Sequence, residues 1–516
     1  MDIHNVDSKF QKREFLAVLI AGFGNELLPL TSDHGDEPYP KALLPVANKP
    51  LLEYILSWLE QAGIKDVLLI CPAIHRPALY HHIHSDVSSP SLRIDLQTYE
   101  ETQESPAGTC ELLRHFSNRI TEDFVLVPCD FLAPPSLPLS QLLNTFRVES
   151  TSDNNLLTTC WYPVHVPDKT VLSDEWGPAP SPPAIVVDPA TGSLLHIDTP
   201  DDRDRNNEDF QFSMGMISRF SRTKLTASFQ DSHVYICQNK ILSMLHQKKE
   251  FDSFREEFLP WLCRNQYRSL KLQPEGKTND VSSSTLLSQS LALGHSTSSH
   301  LKQEDPSSAI PASPIKDDDK DGETSSNSDT SSESNYKVSI VIHSQDADQA
   351  LRINTLYNFL EINRQLLSKA SYALPTDPKD RSLIDQKAQI STDTIIGDST
   401  QISERTTIKK SVIGKHCIIG KFVKISGCVL LDHCIVEDGA KLDGCILGKN
   451  TKVGAKAELS RCISCGGFEV NPGDVLKGEK LDINDWIGDS KLDDLPESDD
   501  EDSDEGDDDG DSDDSS

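Results

Sequence analysis

No stretch of this sequence reaches the ~18 consecutive apolar residues that a membrane-crossing helix needs, so a chain embedded by helices is not expected. The opening "MDIHNVDSKFQKRE" lacks the apolar core of a secretory leader, and none is read there. Zinc-type or redox pairing of cysteines is also missing. Of twelve cysteines, Cys462 and Cys465 form a CxxC with no second pair and no histidine partner near it. Free thiols in a reducing cytosol are the expectation. Basic residues are short as well: 49 Lys and Arg stand against 82 Asp and Glu, a formal charge of -33. Such a chain is a poor ligand for a nucleic-acid backbone.

The negative charge is uneven. From Leu492 to Ser516 the run "LDDLPESDDEDSDEGDDDGDSDDSS" holds fifteen acidic residues and no basic one, so the remainder is only moderately acidic. An acidic tail is expected over 471–516, solvated rather than folded. The segment 273–335 is rich in Ser, Asp and Thr and nearly free of aromatics; it cannot bury enough surface to order itself and reads as a disordered linker. Together with a polar leader over 1–14, these segments frame two folded regions.

Residues 15–272 read as α/β. Apolar runs such as "FLAVLIA", "DVLLICP" and "DFVLVPCD" alternate with helical patterns. In "PLLEYILSWLEQAG" Leu52, Ile55, Leu56 and Leu59 share one helical face, and Gly63 follows as a stop. Strand, helix, strand in that order predicts parallel pairing, and ligands of such sheets sit at the carboxyl ends of the strands. Gly22, Gly24 and Asp130 fall there. A connecting strand ("YKVSIVIH") and helix ("TLYNFLEINRQLL") are expected over 336–382.

The region 383–470 repeats. Ile396, Ile413, Leu430 and Leu447 are seventeen residues apart; so are Ile402, Ile419, Val436 and Val453, and again Ile408, Ile425, Leu442 and Leu459. Gly397, Gly414, Gly420, Gly448 and Gly454 follow five of these twelve aliphatic positions. An aliphatic residue every ~6 positions, commonly followed by glycine, is the hexapeptide signature of a parallel β-helix, whose flat strands each send one side chain inward. Ordinary alternating strands would explain neither the period nor the glycines. Such prisms are usually platforms for subunit contact. His416 and His433 are present, but no supporting context marks either as catalytic.

One loop could carry chemistry. In "AVLIAGFGNELLPLT" a strand runs into Gly22 and Gly24, where backbone N–H groups could approach a phosphate. The loop and three later stretches together resemble the sugar-nucleotide pyrophosphorylase family: "PLT" at 29–31, Lys41 in "PKALLPVANKPLLEY", Gly108 and Thr109 in "PAGTCELL", and Asp130 in "VLVPCD". The resemblance implies a Rossmann-like nucleotidyltransferase domain followed by a left-handed parallel β-helix. It makes Gly22, Gly24, Lys41, Gly108 and Thr109 the nucleotide pocket and Asp130 a metal ligand. Read without the resemblance, Gly22 and Gly24 allow a tight turn, Lys41 is a surface lysine, Asp130 caps a turn and Thr109 caps the following helix.

The departures from that family point to a vestigial site. Its loop carries an arginine where this one carries Glu26. At ~4 Å and an effective dielectric near 20 a unit-charge interaction is worth ~4 kcal/mol, so reversing the sign turns attraction for a polyphosphate into repulsion. The family's second metal aspartate is matched by Gln238 in "SHVYICQNK", and its sugar-phosphate lysine finds no counterpart near "HIDTPDD". One aspartate alone is a poor Mg²⁺ site. No catalytic residue and no cofactor are therefore expected.

A degenerate nucleotidyltransferase domain ahead of a hexapeptide β-helix resembles the gamma and epsilon subunits of the guanine-nucleotide exchange factor that serves eukaryotic translation initiation factor two. "PKALLPVANKPLLEYILSWLEQAGI", "LVPCDFL" and "RINTLYNFLEINRQLL" carry that likeness. Epsilon subunits continue into a helical exchange domain, whereas here acid-rich sequence follows the repeat, so the resemblance implies the gamma type. It further implies a cytosolic, non-catalytic role in translation initiation. The implied partners are the epsilon, alpha, beta and delta subunits and initiation factor two with its GDP or GTP, with no membrane and no direct nucleic-acid contact. The alternatives are a sugar-1-phosphate nucleotidyltransferase of the mannose-1-phosphate guanylyltransferase type, or the inactive regulatory subunit of one.

Overall fold

The structure is a computed structural model that describes residues 14–31, 39–85, 92–102, 105–164, 182–200, 212–267, 336–343, 350–369 and 378–482. The expected leader apart from Glu14, the linker, and residues 483–516 of the expected tail lie outside these residues; 471–482, expected in that tail, belong instead to the prism. Among the described residues no helix is long and apolar enough to cross a membrane.

The first strand, β1 (Phe15–Ile20), is apolar at every position and buried on both faces of a sheet. It pairs in parallel with β2 (Asp66–Pro72), which pairs in parallel with the edge strand β3 (Arg93–Tyr99). Its other neighbour is β4 (Asp123–Pro128), also parallel. The helix α1 (Leu51–Gln61) is the crossover between β1 and β2. It buries Leu52, Ile55, Leu56 and Leu59 as the spacing predicts, and Trp58 donates from Nε1 to Leu137 O at 2.9 Å. Gly63 follows with φ +81°, a conformation that favours glycine.

Beyond β4 the parallel expectation fails. After the short strand β5 (Phe131–Leu132) come β6 (Asn155–Pro163), β7 (Ile185–Asp188), β8 (Ser193–Ile197), β9 (Lys224–Thr226) and β10 (Phe229–Cys237). Strand β10 runs antiparallel between β4 and β6, and β7, β8 and β9 pair antiparallel among themselves. The cause is local for β7 and β8. The Asp188 carboxylate accepts from Ala190 N at 3.0 Å and Thr191 Oγ1 at 2.9 Å, and Gly192 takes φ +65°, closing a tight hairpin that forces antiparallel pairing. The sheet is mixed.

The segment expected to connect the halves is part of the first fold. Strand β11 (Lys337–Ile342) enters between β8 and β6, parallel to β6 with Val338 beside Leu157 and Ile342 beside Trp161. The ten strands stand in the order β9-β7-β8-β11-β6-β10-β4-β1-β2-β3. Strand β12 (Leu351–Arg352) then pairs antiparallel with β5.

The repeat folds as its period predicts, into three parallel sheets of two- and three-residue strands whose neighbours are seventeen residues apart, except for eighteen between Gln389–Ile390 and Thr407–Lys409. Eleven of the twelve aliphatic positions are buried, while Ile396 in an early coil is half-buried. The coils continue past 470, with strands at Val475–Lys477 and Lys480–Leu481. The recurrent glycines have a steric cause: a Cβ on Gly414 would fall 2.6 Å from the Leu431 carbonyl carbon, and one on Gly420 2.5 Å from Asp438 Oδ1. Those neighbouring aspartates cap the glycine turns. Asp432 accepts from Lys415 N at 2.7 Å and Asp438 from Lys421 N at 2.6 Å.

One face of the prism is covered. Val412, Val429, Leu431, Ile446 and Ile463 share an apolar cluster with Leu27, Leu30 and Leu44 of the first fold and with Leu356, Phe359 and Leu360 of the helix Leu356–Lys369. Two hydrogen bonds fix the junction at a two-residue turn. Ala47 N donates to Asn363 Oδ1 at 2.9 Å, and Asn48 Nδ2 donates to Ile413 O at 2.7 Å.

Candidate functional site

At the carboxyl ends of β1 and β4 lies a cavity of 310 Å³. Gly22, Gly24, Lys41, Thr109 and Asp130, separated by up to 108 positions in sequence, all line it. The loop after β1 is closed by Thr31, whose Oγ1 donates to Gly24 O at 2.8 Å. Gly24 has φ +84°, and a Cβ there would come within 2.9 Å of Lys41 Cδ. Glycine is what lets the lysine stem cross the loop.

Lys41 is buried, not a surface lysine, and its Nζ donates to Asp130 Oδ2 at 2.5 Å. A second cation shares the carboxylate. Arg352 on β12 donates from Nε to Asp130 Oδ1 at 3.0 Å and Oδ2 at 3.2 Å, and from Nη1 to His233 Nε2 at 2.9 Å. Burial pushes the Asp130 carboxyl up, but Arg352 and Lys41 outweigh it and hold the group below its ordinary range. His233 is held neutral: burial, then the positive field of Arg352, lowers it well below an ordinary histidine. It is therefore the acceptor of the Arg352 bond.

His233 sits in a bulge of β10 with φ +57°. Its N–H donates to Asp231 Oδ1 at 2.9 Å, and Asp231 also accepts from the Tyr235 hydroxyl. Burial raises the Asp231 carboxyl, with Arg255 at 3.8 Å opposing the shift. Nothing in the sequence marks Asp231, His233, Arg255 or Arg352 as a site residue: "RINTLYNFLEINRQLL" carries a family likeness, but no local pattern signals the partner of Arg352.

Three expectations need correction. Gln238 does not face Asp130. It lies at the far end of β10, which runs antiparallel to β4, and its Nε2 donates to Asn155 O at 2.9 Å. The side chain opposite Asp130 is a cation, Arg352. Gly108 is not among the residues lining the cavity, because the Asp252 carboxylate lies over it; a Cβ would meet Asp252 Oδ1 at 1.9 Å. Gly108 is itself the cap residue of the helix Thr109–His115, and the Thr109 hydroxyl instead accepts from Phe254 N at 2.8 Å. Glu26 is exposed on the turn Asn25–Leu27 and does not line the cavity.

The residues present do not fit Mg²⁺. A divalent ion bound to carboxylates and phosphates needs free anionic oxygens, and both oxygens of Asp130 are engaged by internal cations. Polyphosphate meets no net positive charge there: Lys41, Arg255 and Arg352 are balanced in the lining by Asp130, Glu101 and Glu256. Among the described residues no group of His, Cys, Asp and Glu is placed to hold a metal. All twelve cysteines are free and buried. His416 and His433 stack on one corner of the prism, ring centroids 5.1 Å apart.

Residues 17–169 match the family described as nucleotidyl transferase, and residues 379–476 match the LbH domain of EIF2B subunit epsilon. The gamma subunit of translation initiation factor eIF2B from Schizosaccharomyces pombe is 29% identical over 263 residues, 49% of this chain and 52% of that protein. The Dictyostelium discoideum gamma subunit is 22% identical over 415 residues, covering 74% of this chain and 83% of that one. The S. pombe epsilon subunit is 24% identical over 249 residues, 47% of this chain and 34% of its own length. The chain is thus similar to eIF2B gamma and epsilon subunits and carries both a nucleotidyl transferase match and an LbH match. Its match spans about half the length of the S. pombe gamma subunit. The Dictyostelium match covers the greater part of both chains.

Proposed function

We propose that this chain is a gamma-type, non-catalytic subunit of the guanine-nucleotide exchange factor for initiation factor two. In this reading it pairs with an epsilon subunit, works beside alpha, beta and delta subunits in the cytosol, and supports GDP release by epsilon without performing it. The relatives named gamma support the assignment. One observation carries the non-catalytic half: the Lys41–Asp130–Arg352 cluster uses up the charges that a metal-dependent nucleotidyl transfer would need.

The relatives include both gamma and epsilon subunits. Paralogous subunits commonly pair through equivalent surfaces, which supports a gamma–epsilon heterodimer. The test is release of labelled GDP from initiation factor two with this chain, with epsilon, and with both together. The expected result is no acceleration by this chain and faster release by the pair than by epsilon alone. Rapid release by this chain alone overturns the assigned roles; equal rates for epsilon and the pair overturn the supporting role.

A further inference from the structure

The prism has three faces, and they differ in what they offer. The first is covered by the helix Leu356–Lys369 and the sheet domain. The second presents Ile418 and Ile435 at its centre. The third is a charged face. Its outward rows carry Lys424 and Lys441 on one side and Lys409 and Lys477 on the other, with Lys410 and Arg461 at the adjoining corner. In those rows Asp443 and Glu458 are the anions, Glu479 adjoins the corner, Arg461 has a partner of its own, and Glu458 is taken by Lys441 at 2.5 Å. Lys409, Lys410, Lys424 and Lys477 are exposed, with no ion-pair partner among the described residues. A surplus of positive charge on one face of a chain with net charge -33 requires an explanation.

We propose that this face is the docking surface for the chain's own acidic segment, Leu492–Ser516. The charges are complementary, since fifteen carboxylates and no cation stand in that segment. The reach is sufficient. The described residues end at Asp482, one residue past the last prism strand, and 34 residues follow. Parallel strands are ~4.8 Å apart, so the four steps from Val475–Lys477 back to Thr407–Lys409 span roughly 19 Å. An extended chain covers ~3.3 Å per residue, and the ten residues between Asp482 and Asp493 alone exceed that distance. Tethering makes the encounter intramolecular, so many weak contacts act at a high effective concentration. The contact is electrostatic, and salt screens it.

The test is carbodiimide cross-linking of the full chain, as an equal mixture of light and heavy isotope forms, at low and high salt. At low salt, amide links should join Lys409, Lys410, Lys424 and Lys477 to residues 492–516 within one chain, and high salt should remove them. Deleting 492–516 should raise the acylation rate of those lysines several-fold relative to Lys65 and Lys240 on the sheet domain. The triple variant Lys409→Glu, Lys410→Glu, Lys424→Glu changes only exposed side chains and should abolish most of the links while leaving the thermal transition in place. Links spread equally to Lys65 and Lys240, or acylation rates unchanged by the deletion, would overturn the proposal. Links formed only between light and heavy chains would overturn it too, because the occupant would then be a second copy.

Discussion

Arg352 stands 222 residues beyond Asp130 in the chain, yet it donates to both of that carboxylate's oxygens. The peptide after it adds Ile353 N to Asp130 O at 2.8 Å, and Asn358 at the start of the long helix donates to Arg352 O at 2.9 Å. A position that the family resemblance makes a metal ligand is thus a structural joint. It ties the end of β4 to the helix on which the prism is seated.

Removing one member of a buried ion pair leaves the other uncompensated, at a cost of ~3–5 kcal/mol. Lys41 stays on Asp130, so Arg352→Met should cost less than that, ~1–3 kcal/mol for the bonds taken from Asp130 and His233, visible as a lower denaturant midpoint. Arg352→Lys should recover only part of it, because an ammonium cannot copy the fork that reaches Asp130 and His233 together. A midpoint unchanged in Arg352→Met would show that the cluster contributes nothing to the joint.

The purified chain should make no nucleotide-sugar. Incubation with sugar-1-phosphates, nucleoside triphosphates and Mg²⁺ should release no pyrophosphate above background, and millimolar Mg²⁺ should leave the thermal transition where it was. Turnover near ~1 s⁻¹, ordinary for an enzyme, would refute the reading of the Asp130 cluster.

His233 gives a pH signature. Its folded-state value is depressed, while an unfolded histidine titrates near 6.5. Below that pH the unfolded chain takes a proton that the folded one refuses, so stability falls as pH falls, by up to ~1.4 kcal/mol per pH unit. Asp130 adds loss only further down, as pH drops below the ordinary carboxylate range, because its folded value is also lowered. His233→Asn keeps an acceptor for Arg352 and tolerates the left-handed backbone. Comparing its denaturant midpoints between pH 7 and 5 with those of the unaltered chain should show a shallower slope.

The prism offers a paired test. Ile419 is fully buried and Lys421, two residues on, is exposed. Ile419→Asp buries a charge without a partner and should unfold or insolubilise the prism. Lys421→Gln loses only a contact with Glu404 at 3.5 Å and should change stability by no more than ~0.5 kcal/mol. Circular dichroism melts of both variants check it, and equal tolerance would mean that the inward register is wrong.

The prism was legible because its determinants are local and periodic. One aliphatic residue must enter per strand, and glycine must follow wherever the next coil's backbone lies too close for a Cβ, as at Gly414 and Gly420. The first crossover was equally plain, since the Leu52–Leu59 stripe needs only a helix and a sheet to cover it. Gly22, Gly24, Lys41, Thr109 and Asp130 line one cavity, whose place at the carboxyl ends of parallel strands follows from the strand order alone.

What the sequence by itself determined, then, is the coil period, the alternation of strand and helix, and which strand ends could hold a site. Tertiary structure alone decided that β11 inserts between β8 and β6, that β10 runs antiparallel to β4, and that Arg352 rather than Gln238 faces Asp130. A strand's apolar pattern states how deeply it is buried but not beside which strand, and a single arginine has no periodicity to betray its partner. Such pairings between distant residues are fixed only when the whole sheet closes and a buried carboxylate must find its cations.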